Sequence, residues 1–260
     1  MPDSTLENQY LKLLTQRWHI YNSIFGLRNF DQRIKKRAAR EGGKKSLEEL
    51  VKLVSVKDQR LLDVGSCCGE FLFEAVQAGA IGYGVEPDEL SLEVSRLLFQ
   101  INHTEVKLEP AYAESLPFPA NTFDIVVSIF ILEHTKNPEQ AILEMIRVLK
   151  PGGKLWLRCP NYLYPYERHY KKYYFPGLPK FIEQIYFNFV SGRKTNYFLN
   201  LKRTTPSFVL KILNKHHLAY QDLSAQSSKL RSVLDWLLSR VRIYPEINLF
   251  ITKDQTGLGL

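Results

Sequence analysis

Cysteine is scarce in this chain: Cys67, Cys68 and Cys159 are all there is in 260 residues. Two are adjacent and no Cys-x-x-Cys pair occurs, so neither a disulfide framework nor a zinc site is suggested, and no metal is expected. A reducing, cytoplasmic setting is the default expectation for such cysteine usage. Long apolar runs are missing too. The longest clean one, Ile125 to Leu132, has a strand's length and falls far short of a membrane span. Met1 to Tyr10 is polar and mixed in charge, without the apolar stretch of a signal peptide. No internal repeat is visible. What remains is an ordinary globular composition, 45% hydrophobic, at a length that fits one domain with an insertion.

Charge of one sign is locally absent as well. The net charge of +8 divides into +5 over residues 1–56, −6 over 57–158, +6 over 159–204 and +3 over 205–260. An acidic centre lies between basic flanks, and basic flanks attract an anionic partner: phosphate, carboxylate, nucleic acid or a lipid headgroup. The run Arg33 to Arg40 is strongly basic. A solvated helix face is the plainer reading of it; a phosphate- or membrane-contacting patch is the other.

The chain is organised around Leu61-Leu62-Asp63-Val64-Gly65-Ser66-Cys67-Cys68-Gly69-Glu70-Phe71. Leu61 to Val64 reads as a buried strand, Gly65 to Gly69 as a tight small-residue turn, and Glu70 onward as a helix by its apolar spacing. Such a crossover opens a nucleotide-binding α/β sheet, with free N–H groups of the helix start facing the ligand. A dinucleotide turn places glycine first, third and sixth. Here those places hold Gly65, Cys67 and Glu70, and the Glu70 carboxylate would repel a pyrophosphate. Gly82 to Glu86 reads as the second strand. It ends in an acid about twenty residues after the turn, where a carboxylate accepts hydrogen bonds from a ribose diol.

Strands are expected near 60–64, 82–85, 106–109, 123–129 and 154–159, with helices near 70–78, 89–100 and 138–149. Ahead of them, residues 1–45 read as polar helix, Glu41 to Lys44 as a break, and Ser46 to Glu49 as the capping box of a short helix through Val54. Residues 160–204 interrupt the alternation. Thirteen of the twenty-nine Tyr and Phe residues fall there, with excess positive charge. They read as a cap over the strand ends, facing substrate or extending the core. Thr205-Pro206 starts a helix to about Lys215; Ala219 to Leu223 and Ile247 to Thr252 read as strands. Ser228 to Val241 reads as an amphipathic helix, and Lys253 to Leu260 as a frayed tail.

The ordered set, which also includes Phe123-Asp124-Ile125-Val126-Val127, Glu133-His134 and Leu149-Lys150-Pro151-Gly152-Gly153-Lys154-Leu155, closely resembles the class I S-adenosylmethionine-dependent methyltransferases. The likeness is to the small-molecule group that includes the ubiquinone and menaquinone methyltransferases, and it covers roughly Gln59 to Cys159. It implies a Rossmann-like, mostly parallel seven-stranded sheet with the last strand antiparallel. The domain plan is then an N-terminal helical segment (1–56), a cofactor-binding core (57–159), an inserted cap (160–204) and a C-terminal completion (205–260). The resemblance implies S-adenosyl-L-methionine as cofactor. Asp63, Gly65, Gly69 and the backbone of Ser66 to Cys68 would hold its amino-acid end, and Glu86 with Pro87 its ribose. Ile129 and Phe130 would line the cleft.

Two departures stand out. Cys67 replaces the family's usual glycine and keeps the turn only if its φ is negative. Tyr112 replaces an acid that often holds the adenine amino group; Ala113 and Glu114 still match, which leaves backbone, Glu114 or stacking on Tyr112 for adenine. His134 is the candidate base, with loop orientation as its structural alternative. His169 in the cap is a second acid/base candidate. His19, His216 and His217 read as structural, and Cys67 and Cys68 as packing residues. The expected function is methyl transfer, with O-methylation favoured, to a small-molecule, lipid or sugar-type acceptor. An RNA methyltransferase, for which no separate RNA-binding module is recognisable, and a non-catalytic methyltransferase-like partner subunit are the alternatives.

Overall fold

The structure, a computed structural model, describes residues 4–25, 29–227, 237–238, 240 and 243–254. Three helices lead in: α1 (Ser4–Phe25), α2 (Phe30–Ala38) and α3 (Glu41–Leu50). The alternating core follows as β1 (Arg60–Val64), α4 (Glu70–Gln77), β2 (Ile81–Val85), α5 (Glu89–Ile101), β3 (Lys107–Glu109), β4 (Phe123–Ile129), a 3-10 turn at Leu132–His134, α6 (Pro138–Val148) and β5 (Leu149–Pro160). The cap holds a hairpin of β6 (Tyr166–Glu167) and β7 (Lys172–Tyr173), then α7 (Lys180–Ser191) and α8 (Tyr197–Asn200). The chain then adds α9 (Pro206–Lys215), β8 (Ala219–Asp222), α10 (Ser224–Ser227) and β9 (Glu246–Thr252). Most of the helix expected over Ser228 to Val241, and the tail beyond Asp254, lie outside the described residues.

Seven strands form one sheet in the order β3-β2-β1-β4-β5-β9-β8. β1 pairs parallel with β2 and β4, and β4 with β5; β9 runs antiparallel to both β5 and β8, as expected. Register sets the site. Asp63 stands opposite Gly84 and Val127, so β1, β2 and β4 end side by side at one edge. Alternate residues along the strands bury on opposite faces. Leu61, Ile125, Val127 and Trp156 pack toward α1, α4 and α5, while Leu62, Val64, Val126 and Leu155 pack toward α6 and α9.

Two local expectations fail for identifiable reasons. β5 starts at Leu149 rather than near 154, because residues 150–153 form a bulge: Phe123 pairs with Leu149 and Ile125 with Lys154. The Glu41 to Lys44 stretch does not break a helix but begins α3; the break falls at Arg40, with φ +55°, and Ser46 to Glu49 lie inside α3. Gly43 explains it. A Cβ there would sit 2.4 Å from the Glu70 carbonyl oxygen, so the glycine exists to let α3 cross the start of α4 closely. Gly42 has no such neighbour; its Cβ would meet only Glu70 Oε2 at 3.9 Å.

The two adjacent glycines should therefore respond with opposite signs. Gly42→Ala is expected to stabilise by about 0.5–1 kcal/mol through helix propensity. Gly43→Ala is expected to cost about 1–3 kcal/mol through overpacking, read as opposite shifts in thermal midpoint.

Candidate functional site

The turn after β1 is built by positive φ at three places: Gly65 (+79°), Cys67 (+50°) and Gly69 (+77°). A side chain at Gly65 would strike Ile131 Cγ2 at 2.2 Å, and one at Gly69 would meet Ser95 Oγ at 2.3 Å. Cys67 contradicts the expectation of a negative φ. It takes the left-handed conformation a glycine would take, and the turn keeps its shape at a local cost of about 1–2 kcal/mol. What holds it is Glu86. Its Oε2 accepts from the Cys67 N–H and its Oε1 from the Asp88 N–H, both at 3.0 Å. Burial raises the Glu86 carboxyl, and the two backbone donors oppose that shift.

Four of the turn's backbone N–H groups are engaged within the protein. Gly65 N and Ser66 N both donate to Val85 O, Cys67 N to Glu86, and Gly69 N to Ser66 O. The side chains around the turn are acceptors. Asp63 is buried, and among the described residues no donor reaches its carboxyl. Burial, then Cys67 and Glu86, push it up to about 8. The Ser66 hydroxyl is buried without a partner.

Glu70 is not the free repelling charge expected from its place in the turn. Its carboxylate is buried and paired at 2.7 Å with Arg37 of α2, whose guanidinium also stacks on Trp18. A neutralised acid does not repel pyrophosphate.

Arg17 of α1 reaches Asp88 and Ser91 at the start of α5, both at 2.8 Å. Arg40 pairs with Glu74 at 2.7 Å. The basic run Arg33 to Arg40 is thus in part an adhesive strip against α4, rather than a purely solvated face. Sequence reasoning missed Arg17, Trp18 and Arg37, because nothing local marks a contact across seventy residues or thirty.

The remaining predicted residues scatter around the cleft. Ala113 is buried in the α6-side core, and Pro87 is exposed. Glu114 Oε1 accepts from the N–H groups of Lys136 and Asn137, so it caps the loop after the 3-10 turn. Tyr112 is 65% exposed, a ring with no fixed partner of its own. Ile129 packs in the α5-side core. Phe130, with φ +58°, lies beneath the guanidinium of Arg168 at 4.2 Å and near that of Arg158 at 5.4 Å. His134 and His169, distant in sequence, come together with ring centres 5.7 Å apart. Partial burial, then His169, lower His134 to about 4. His169 is paired with Glu167 at 2.7 Å, and stacks on Phe25. Of the residues read as structural, His216 pairs with Glu139 and His19 stacks on Phe30.

The cap extends the core, as one of its two readings expects. Tyr162, Tyr170, Tyr174, Phe187 and Phe198 form a satellite core with Phe25 of α1. Beside it lies a cavity of about 320 Å³, lined by Trp18, Tyr21, Phe30, Arg33, Arg37, Arg168, His169 and Lys171 among others. A second cavity, of about 810 Å³, lies between α3, the cap hairpin and β9 and shares Arg168. Neither is lined by Asp63 or Glu86.

Comparison with known proteins agrees with this geometry. The family profile described as "Methyltransferase domain" matches residues 62–157. The ubiquinone biosynthesis O-methyltransferase of Coxiella burnetii is 31% identical over 128 residues, 49% of this chain and 52% of that protein. The tRNA U34 carboxymethyltransferase of Syntrophotalea carbinolica is 31% identical over 107 residues, 40% of this chain and 33% of that protein. The chain thus spans about half the length of the Coxiella relative. Among solved structures, magnesium protoporphyrin IX methyltransferase from Synechocystis, with bound SAH, superposes with a TM-score of 0.58 at 14% identity, covering 92% of this chain and 94% of that one. YcgJ of Bacillus subtilis gives 0.58 at 19% identity, covering 81% and 99%. The core of this chain, residues 62–157, is similar to a methyltransferase domain, which points to S-adenosylmethionine as the cofactor.

The residues present fit that cofactor. Its amino group and ribose hydroxyls are donors, and the cradle presents the unpartnered Asp63 carboxyl and the remaining lone pairs of Glu86.

The strained turn gives a test. Cys67→Gly is expected to stay within about 1 kcal/mol of the parent in chemical denaturation, relief of strain offsetting the glycine's extra chain entropy. Cys67→Val, β-branched at positive φ, is expected to lose about 2 kcal/mol.

Proposed function

We propose that the protein transfers a methyl group from S-adenosylmethionine to an oxygen of a small-molecule, lipid or sugar-type acceptor bearing negative charge. The observation that carries the reading is the acceptor-lined cradle at the ends of β1 and β2. S-adenosylmethionine supplies a methyl on a cationic sulfur, which an acceptor oxygen takes in line while the carbon–sulfur electron pair returns to sulfur. Asp63 holds the cofactor's ammonium and Glu86 its ribose diol, which fixes the direction of the methyl. The exposed Tyr112 ring offers adenine a stacking surface, since one oxygen of Glu114 is already engaged. α1 and the cap's satellite core exclude water from the reacting edge.

The acceptor is assigned to the cavity between α1, α2 and the cap. Its walls give aromatic faces from Trp18, Tyr21 and Phe30 and cations from Arg37, Arg168 and Lys171. Burial, then the neighbouring Arg33 and Arg168, lower the Lys171 amine, which marks local excess positive potential. An anionic ring or lipid headgroup suits such walls. The O-methyltransferase named among the relatives supports oxygen as the acceptor atom. His134 is neutral at pH 7 and keeps a lone pair for a proton or a ligand.

The tRNA-modifying relative supports a second reading, an RNA acceptor at the same basic walls. Binding to mixed RNA with a steep salt dependence would favour it; an acceptor turned over equally at high salt would exclude it.

Calorimetry tests the cradle. S-adenosylhomocysteine is expected to bind saturably, and Glu86→Ala to weaken it more than tenfold, about 1.4 kcal/mol. No binding by the parent chain would end the proposal. The same titration carries a pH signature. Asp63 faces Cys67 and Glu86, and with its carboxyl near 8 it is mostly protonated at neutrality. An ammonium needs the carboxylate, so affinity is expected to rise with pH and level off above about pH 8. Asp63→Asn should bind more weakly and flatten the dependence.

A further inference from the structure

Glu133 is fully buried, yet neither of its carboxylate oxygens has a hydrogen-bond partner. An isolated buried carboxylate is among the costliest groups a fold can hold, unless a cation or proton meets it. Two imidazoles stand where a cation's other ligands would be. His134 Nε2 lies 3.9 Å from Glu133 Oε1. One ligand atom each from Glu133, His134 and His169 falls within 4.8 Å of the others.

His169 is prepared for such a task. Its Nδ1 is held at 2.7 Å by Glu167 Oε1, and Glu167 Oε2 is itself fixed by the Tyr170 N–H at 2.7 Å. A carboxylate on one imidazole nitrogen sets the tautomer and leaves the other, Nε2, as a lone-pair donor; this is the outer arrangement of protein metal sites. The Glu133 backbone is anchored as well, its carbonyl accepting from Lys202 N at 2.7 Å.

We propose that Glu133, His134 and His169 bind one divalent first-row transition-metal ion. Two imidazoles and one carboxylate select zinc, manganese, cobalt or iron over magnesium and calcium, which take oxygen ligands. Ligand atoms about 2.0–2.2 Å from an ion lie roughly 3–3.5 Å apart, so the set closes by about 1 Å on binding. His134 supplies that movement. Its side chain is 41% exposed, whereas those of Glu133 and His169 are 0% and 14% exposed. Three protein ligands leave an open position, where an acceptor oxygen would meet the ion. The ion site itself stands without the methyl-transfer reading.

The test uses the full chain, stripped with chelator and dialysed against Zn2+, Mn2+ or Co2+, with bound metal read by mass spectrometry. The parent is expected to retain about one ion per chain, and Co2+ to give a visible absorption band from the mixed nitrogen and oxygen ligands. Glu133→Gln and His169→Ala are each expected to lose the ion and the band. His216→Ala, at the surface pair with Glu139, is expected to keep both. Should Glu133→Gln fail to fold, His169→Ala carries the comparison. S-adenosylhomocysteine calorimetry on the same samples checks the cofactor cleft separately. A parent that takes up none of the three metals overturns the proposal, as do variants that bind as the parent does. A parent that binds metal but no S-adenosylhomocysteine sinks the methyltransferase reading and leaves the ion site standing.

Discussion

The carboxylate of Glu86 is the constraint on which the site depends. It closes the second strand and, through Cys67 N, fixes the turn that closes the first. Without that bond a non-glycine residue at φ +50° would have little to hold it. The second bond, to Asp88 N, places Asp88 to cap α5, where it accepts from Ser91 N at 3.0 Å and from Arg17. One side chain thus sets the turn, the start of α5 and the landing point of α1. The same carboxylate retains the lone pairs that a ribose would use. Shape and binding capacity share one group.

Charge asymmetry along the chain has a physical outcome in the fold. The acidic core and basic N-terminal segment meet as Arg17 with Asp88, Arg37 with Glu70 and Arg40 with Glu74. Lys36 pairs within its own segment, with Glu41. Arg37 of α2, with Arg17 before it and Arg40 just after it, is therefore engaged in docking. In the cap, Arg203 pairs with Glu183 and Arg168 with Glu246, yet Glu167 and Glu183 are the only acids in residues 159–204. The positive field that remains is concentrated where α2 and the cap face one another across the smaller cavity. Partner attraction is a property of that seam rather than of either basic run alone.

Much of the fold was legible because its causes are local. Asn137 and Thr205 cap α6 and α9 through their side chains, each followed by proline, and both helix starts were readable from those pairs. Buried parallel strands announce themselves as apolar runs, and the Gly65 to Gly69 turn as small residues. Gly42 and Gly43 misled, because a glycine that breaks a lone helix also permits two helices to touch, and only the neighbour at Glu70 decides between these. Cys67 misled for a similar reason, since its φ is imposed by a residue nineteen positions away. Glu70 was assigned by its place in the turn, but its charge is cancelled by Arg37 from another element. His134 and His169 were each visible as titratable residues. Their meeting was not, because the cap's path back over the strand ends is written in aromatic packing against Phe25, not in any spacing.

Buried acids are where the fold spends stability for function. Asp63 and Glu133 sit at the ends of β1 and just beyond β4, both buried, both raised by desolvation, and neither carboxyl finds a donor among the described residues. A core selected only for stability would replace them with apolar groups of similar volume. The other deeply buried acids show the contrast: Glu70, Glu183, Glu167 and Glu246 each meet an Arg or His at 2.7 Å or less. The fold is thus able to neutralise buried carboxylates wherever they serve packing. The two it leaves unpartnered stand at the one edge where β1 and β4 open together, and that edge is where cations brought by ligands would complete them.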